Sequence, residues 1–227
     1  MPLAKSFTKT DSPEGMPRPI MFVIAGPNGA GKTTFYKTHI AQLTAAPFIN
    51  ADDIQRNELT DKSVQASYEA AAIAEYRRDQ LLAARQSFVT ETVFSHPSKL
   101  ELIEQAKAQD FDVRMFHVGV ESPDLSVARV SERVKEGGHP VPENKIRERY
   151  DRNGPLIREA VRMADQGFVY DNSALNLPHQ HLLSFESGKV VKLDPKLTRW
   201  AQSIYGEDIN RFLGLDLKGA PDNGTDR

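Results

Sequence analysis

The run IMFVIAGPNGAGKTTF, residues 20–35, decides the fold. Its first six residues, Ile20 to Ala25, are apolar without interruption, as expected of a strand buried on both faces of a parallel sheet. Gly26, Gly31, Lys32 and Thr33 follow at the spacing G-x-x-x-x-G-K-[ST]. Glycines there let the backbone turn so that successive N–H groups point inward, and a helix starting at Lys32 adds the positive end of its dipole. Strand, loop and helix in this order predict a phosphate cradle made of Gly26, Pro27, Asn28, Gly29, Ala30, Gly31, Lys32, Thr33 and Thr34, holding a nucleoside triphosphate. Lys32 is placed for the outer phosphates and Thr33 for Mg²⁺. The loop does not say to what the phosphate is given.

Outward from that loop, β-rich runs alternate with helical patterns. FINA, SFVTET, DVRMFHVGV and GFVYDNS read as strands, with helices at Lys32, over residues 62–86, after Pro97, and on both sides of GGHPVP. HLLSF and KVVKL, separated by ESG, read as a hairpin. Ser122 before Pro123 and Asp194 before Pro195 read as helix starts with a capping side chain and proline in the first turn. The rhythm is that of an α/β protein: a P-loop NTPase three-layer α/β/α fold with a parallel central sheet. One kinase domain is expected over 20–213, with polar tails at 1–19 and 214–227.

A net charge of -2 over 227 residues argues against broad nucleic-acid binding, which leaves a chain-wide basic excess. The sequence has no cysteine, no signal-peptide pattern and no apolar run long enough to span a bilayer, so the expectation is a cytoplasmic protein bound neither to membrane nor to nucleic acid.

Three further stretches bear on the acceptor. FINADDI puts Asp52 and Asp53 after the second strand, where carboxylates face the ligand crevice of a parallel sheet, and one of them is a candidate base for an alcohol proton. Asp53 can instead simply cap a helix beginning near Ile54. FVTETVFSHPSK leaves Glu91, Thr92 and Ser95 at the end of the third strand, a set that suits a sugar or other polyol, unless Ser95 and His96 only start the next helix. Residues 129–152 carry Arg129, Arg133, Lys135, Lys145, Arg147, Arg149 and Arg152 around Gly137-Gly138, which reads as a helical basic lid able to close over phosphates; His139 is counted with it. The same run, with Glu132, Glu136, Glu143 and Glu148, also reads as a solvated charged face. Arg158 lies outside it and is expected to be dispensable. His179 and His181 alternate as on a surface strand, with no third metal ligand in view.

Taken in order, AGPNGAGKTTF, INADDI, ETVFS, RVSERVKEGGHPVPENKIRERYDR and YDNS resemble the zeta toxin family of P-loop kinases, of the compact chromosomal type. Members phosphorylate the 3'-hydroxyl of UDP-N-acetylglucosamine with ATP and Mg²⁺, and some are blocked by an antitoxin protein. The resemblance implies that Lys32 and Thr33 serve ATP and Mg²⁺, that Asp52 is the base, that Asp53, Glu91, Thr92 and Ser95 lie toward the acceptor, and that Arg133 and Arg149 hold the γ-phosphate. Two other readings stay open: a housekeeping kinase of another nucleotide or sugar, and a nucleotide-operated interaction switch, which would release ADP without an acceptor.

Overall fold

The computed structural model describes residues 17–215 except 60, 62, 137 and 139. Within them seven strands form one sheet: β1 (Ile20–Ala25), β2 (Phe48–Ile49), β3 (Phe88–Thr92), β4 (Asp112–Gly119), β5 (Gln166–Asp171), β6 (Gln180–Glu186) and β7 (Lys189–Leu193), in the order β2-β3-β1-β4-β5-β6-β7. The pairings from β2 to β5 are all parallel, while β6 and β7 add an antiparallel hairpin at one edge. Its turn has positive φ at Ser187 (47°) and Gly188 (77°), the pattern of a two-residue I′ connection.

Helices α1 (Lys32–Phe35), α2 (Ala51–Glu58), α3 (Val64–Ala83), α4 (Ser98–Ala108), α5 (Pro123–Lys135), α6 (Glu143–Met163) and α7 (Arg199–Phe212) complete the chain. Residues on a strand point alternately to opposite faces. Met21, Val23 and Ala25 of β1 therefore meet Ile103, Ile157 and Tyr205 of α4, α6 and α7, whereas Phe22 and Ile24 meet Phe35 and Ile40 on the other side. Helices on both faces of the sheet make the three-layer α/β/α fold of P-loop NTPases. Because β1 lies between β3 and β4, the loop leaving it emerges mid-sheet, at the carboxyl edge where such sheets bind ligands. The helix after that loop tightens into α1 and then widens into a π turn, Ala41 N donating to Tyr36 O at 2.9 Å.

Local signals were decisive at some helix starts and misleading at others. Ser122 Oγ accepts from Leu125 N at 3.2 Å with Pro123 first in α5, as the sequence predicts. α7 begins after Thr198, not at Asp194-Pro195, because Asp194 spends its Oδ1 on Lys196 N (2.7 Å) and closes a turn instead. β2 ends at Ile49, so Asn50 and not Asp53 caps α2. Asn50 Oδ1 accepts from Asp52 N (2.8 Å) and Asp53 N (3.4 Å), which leaves Asp53 in the first turn as a dipole-facing carboxylate.

Most of the two expected tails, 1–16 and 216–227, lies outside the described residues, as do Gly137 and His139 of the expected lid. The fold nonetheless starts before Ile20: Arg18 pairs with Asp110 at 2.9 Å and donates to the Phe111 carbonyl.

Candidate active site

Gly26 leaves β1 so close to β4 that a Cβ there would sit 1.9 Å from the Val118 carbonyl oxygen. Gly31 stands at φ +83°, left-handed, where α1 begins. The first N–H groups of a helix have no partner within it, so this end of the loop presents donors to an anion. Pro27, Asn28 and Ala30 are buried, and Thr34, the third residue of α1, is exposed. Lys32 is buried too, with Nζ donating to Pro27 O at 3.0 Å. Its burial lowers the ammonium pKa; Glu91 and Asp52 oppose that, and Arg133 and Arg149 add to it.

Glu91 is the hub of the cleft. Its Oε2 accepts from Thr33 Oγ1 and from Asn50 Nδ2, both at 2.8 Å, and its Oε1 lies 4.0 Å from Lys32 Nζ. Burial pushes its carboxyl pKa up, with the Lys32 charge and the Thr33 hydroxyl pulling it back. The sequence reading sets Glu91 toward the acceptor; the structure sets its carboxylate against the loop itself. Asn50 lies outside the residues that the sequence singles out, although an asparagine between a strand and an acidic first turn is a cap signal. Thr33 and Glu91 together supply hard oxygen donors beside a phosphate cradle, a set that fits Mg²⁺, which takes few protein ligands and completes its shell with phosphate and water.

Thr92 is engaged locally, its Oγ1 accepting from Phe94 N at 3.1 Å where the backbone turns left-handed (φ 58°), and Ser95 follows half-buried on the same loop. The two aspartates separate. Asp52 faces the lid, its Oδ2 3.9 Å from Arg133 Nη1, while Asp53 pairs with Arg56 at 3.2 Å on its own helix.

The basic run splits in the same way. Lys135 pairs with Glu132 (2.7 Å), Lys145 with Glu148 (3.0 Å), and Arg147 with Asp124 (2.7 Å) and Glu143 (2.9 Å); Arg152 donates to Glu148 O at 3.2 Å. These cations form the solvated face. Arg133 and Arg149 act on Lys32 from the two lid helices.

The family profile described as zeta toxin matches residues 4–174. The chain belongs to the zeta toxin family. A curated relative, an uncharacterized protein of Haemophilus influenzae, is 28% identical over 131 residues, which cover 55% of this chain and 88% of that one. Among solved structures, one from the PezAT chromosomal toxin-antitoxin system of Streptococcus pneumoniae is similar at TM-score 0.54 and 14% identity, covering 95% of this chain and 93% of that one. AvrRxo1-ORF1:-ORF2 with ATP is similar at TM-score 0.60 and 16% identity, covering 84% of this chain and 63% of that one, so the chain spans under two thirds of its length. At such identities the structural likeness speaks to fold.

Other residues of this zeta toxin chain join the cleft from β5. Asn172 Nδ2 donates to Ala30 O at 2.9 Å, and Arg129 donates to Asn172 O (2.6 Å) and Ser173 O (3.3 Å). Arg129, read from sequence as a lid cation, is a fastener between α5 and the end of β5. Burial lowers its pKa, with Asp171 opposing. The histidines divide as well: His179 stands with Phe35 (ring centroids 5.3 Å apart) and His39 (5.4 Å) behind the loop, while His181 packs on Tyr170 at 5.1 Å.

No described helix is long and apolar enough to cross a membrane.

Proposed function

We propose that this chain is an ATP-dependent kinase that transfers the γ-phosphate to a sugar hydroxyl, with the 3'-hydroxyl of UDP-N-acetylglucosamine as its acceptor, and that it works as a toxin in the cytoplasm. One observation carries the reading: buried Lys32 lies 4.0 Å from Glu91, Asp52 lies 3.9 Å from Arg133 of the lid, and the charges of Asp52, Arg133 and Arg149 all bear on the Lys32 ammonium. A module that only binds nucleotide needs the cradle, whereas a carboxylate and two lid cations facing that cradle suit transfer.

In this reading Asp52 accepts the proton of the acceptor hydroxyl. The hydroxyl oxygen bonds to the γ-phosphorus as the bond from that phosphorus to the β–γ bridging oxygen breaks, and ADP leaves with the electron pair. Lys32 neutralises the outer phosphates from below, and Arg133 and Arg149 do so from the lid. Mg²⁺ held at Thr33, with Glu91 behind it, would supply further charge neutralisation on the phosphate oxygens. Glu91 also keeps Thr33 oriented and Asn50 in place, so its role is on the loop side; in this reading Thr92 and Ser95 lie toward the acceptor, while Asp53 is held by Arg56 and contributes little to it. An antitoxin protein is the partner that the PezAT relative suggests.

The test is incubation with ATP, Mg²⁺ and a panel of sugar nucleotides, followed by mass spectrometry. The expected result is one added phosphoryl group on UDP-N-acetylglucosamine. Transfer to a different sugar only would discard this acceptor and keep the kinase. ADP formation with no phosphorylated acceptor would overturn transfer in favour of a switch.

A further inference from the structure

We propose that Asn172 is a positioning residue for the phosphate loop and that α7, through Trp200 and Asp171, sets where Asn172 stands. The geometry is independent of the reaction; the consequence for nucleotide affinity rests on the kinase reading above.

Asn172 is held on its backbone from both sides, N donating to Gly119 O at 2.9 Å and O accepting from Arg129 Nη1 at 2.6 Å. With the main chain fixed, the carboxamide has one target, and Nδ2 donates to Ala30 O at 2.9 Å. In a planar trans peptide the C=O and the following N–H point in opposite directions. Holding the Ala30 carbonyl toward Asn172 therefore turns the Gly31 N–H away from it, so the carboxamide fixes the orientation of that donor. The fit leaves no slack: a Cβ on Gly31 would come within 2.4 Å of Asn172 Nδ2.

The neighbouring residues anchor this arrangement in the far helix. Asp171 Oδ1 accepts from Trp200 Nε1 (2.7 Å) and Ser173 Oγ (2.6 Å), its Oδ2 accepts from Ser173 N (3.0 Å), and Ser173 Oγ accepts from Glu121 N at 2.9 Å. Trp200 is buried over Gly119, where a Cβ would meet its ring at 2.3 Å. A helix beyond the family-matched residues 4–174 is thereby connected to the loop by three consecutive residues at the end of β5. Ordinary core packing would account for the Asp171–Trp200 bond, but not for a carboxamide spent on a loop carbonyl.

Hydrogen exchange on the ligand-free full chain, followed by binding of a non-hydrolysable ATP analogue, tests the proposal. In Asn172→Ala, amides of residues 26–34 should exchange faster while the core strands keep their rates, and analogue affinity should fall roughly fivefold, the worth of one ordinary hydrogen bond. Asn172→Asp keeps the shape and sets an acceptor against an acceptor, so its effect should be larger. Trp200→Phe keeps an aromatic side chain but loses the donor and part of the indole packed on Gly119, and should show the same loop signature more weakly. In the active enzyme the KM for ATP should rise with little change in the KM for the acceptor. Loop exchange at parental rates in both Asn172 variants would overturn the proposal, as would acceleration spread evenly over the core, which marks a structural role only. A parent protein that binds no analogue would sink the kinase reading, yet the exchange data would still decide whether Asn172 holds the loop.

Discussion

The cations on the two sides of the cleft are held in different ways. Lys32 is sealed beneath the loop, bonded to Pro27 O and facing Glu91, with nowhere else to go. The lid strings its cations along two helices, and three of the seven, Lys135, Lys145 and Arg147, are occupied by carboxylates on their own surface. A loop of fixed spacing carries its geometry in the covalent chain, so the sequence alone places Lys32 at its base. A run of charge along a helix does not say which members face inward, because that depends on helix phase and on what stands opposite. The lid cations are therefore divided: one group is turned on Lys32, one is spent on solvent-side pairs, and Arg129 is fastened to the end of β5.

The sharpest way to break this contrast is at the buried ammonium and at the exposed carboxylate that faces the lid. Lys32→Ala and Asp52→Asn should each lower phosphoryl transfer by about a hundredfold or more, the first by removing a charge from the phosphates and the second by removing the proposed base. Asp52→Asn should leave ATP binding nearly intact, as the nearest cation to its Oδ2 in an ion pair is Arg133 of the lid, at 3.9 Å. Turnover assays with binding titrations check both, and parental turnover in either variant would dissolve the assignment of that residue.

Next in size are the two inward arginines. The Arg133 side chain is 41% exposed, so water screens part of its charge, and about a tenfold loss in turnover is expected of Arg133→Ala and of Arg149→Ala, with a smaller change in ATP affinity. Arg147→Ala, drawn from the solvated population, should stay within about twofold. Equal losses in all three would mean that the lid is one population after all.

This division also marks how far sequence carries. All seven strands follow from apolar runs bounded by turn residues, and α5 from Ser122-Pro123, because these signals act within a few residues. What escapes are contacts between residues far apart in the chain. Thr33 meets Glu91, Asn50 reaches the same carboxylate, and Asn172 closes on Ala30; no local pattern in ETV or YDNS announces them. Asp194-Pro195 fails for the opposite reason, since a good local start signal is satisfied there by a turn.

Arg158 illustrates the same blindness with a smaller effect. By sequence it is a bystander to the lid, yet its Nε donates to Asp208 at 2.6 Å and its Nη2 to Glu207 at 2.7 Å, fastening α6 to α7. Asp208 is buried, with Arg162 Nε 3.7 Å and Arg211 Nη1 3.9 Å away to share its charge. Arg158→Ala should therefore cost about 2 kcal/mol of stability in denaturant titration, short of stranding a lone buried carboxylate, with turnover of the folded protein unchanged. A loss of turnover without a loss of stability would put Arg158 in the site and break the contrast from the other end.

The smallest expected effect is the most discriminating one. Asp52 and Asp53 are adjacent on the first turn of α2, share the Asn50 cap, and differ only in where they point. Asp53 faces Arg56, an exposed partner on the same helix, so Asp53→Asn removes a surface ion pair and a carboxylate near the helix N-terminus, together worth at most about 1 kcal/mol of stability. Turnover should stay within about twofold of the parent. Because the two substitutions share backbone, cap and chemistry, any difference between them reports orientation alone. If Asp53→Asn proves the more damaging in transfer, the base is the carboxylate beside Arg56, and the acceptor must enter from the α2 side of the cleft, not from beneath the lid.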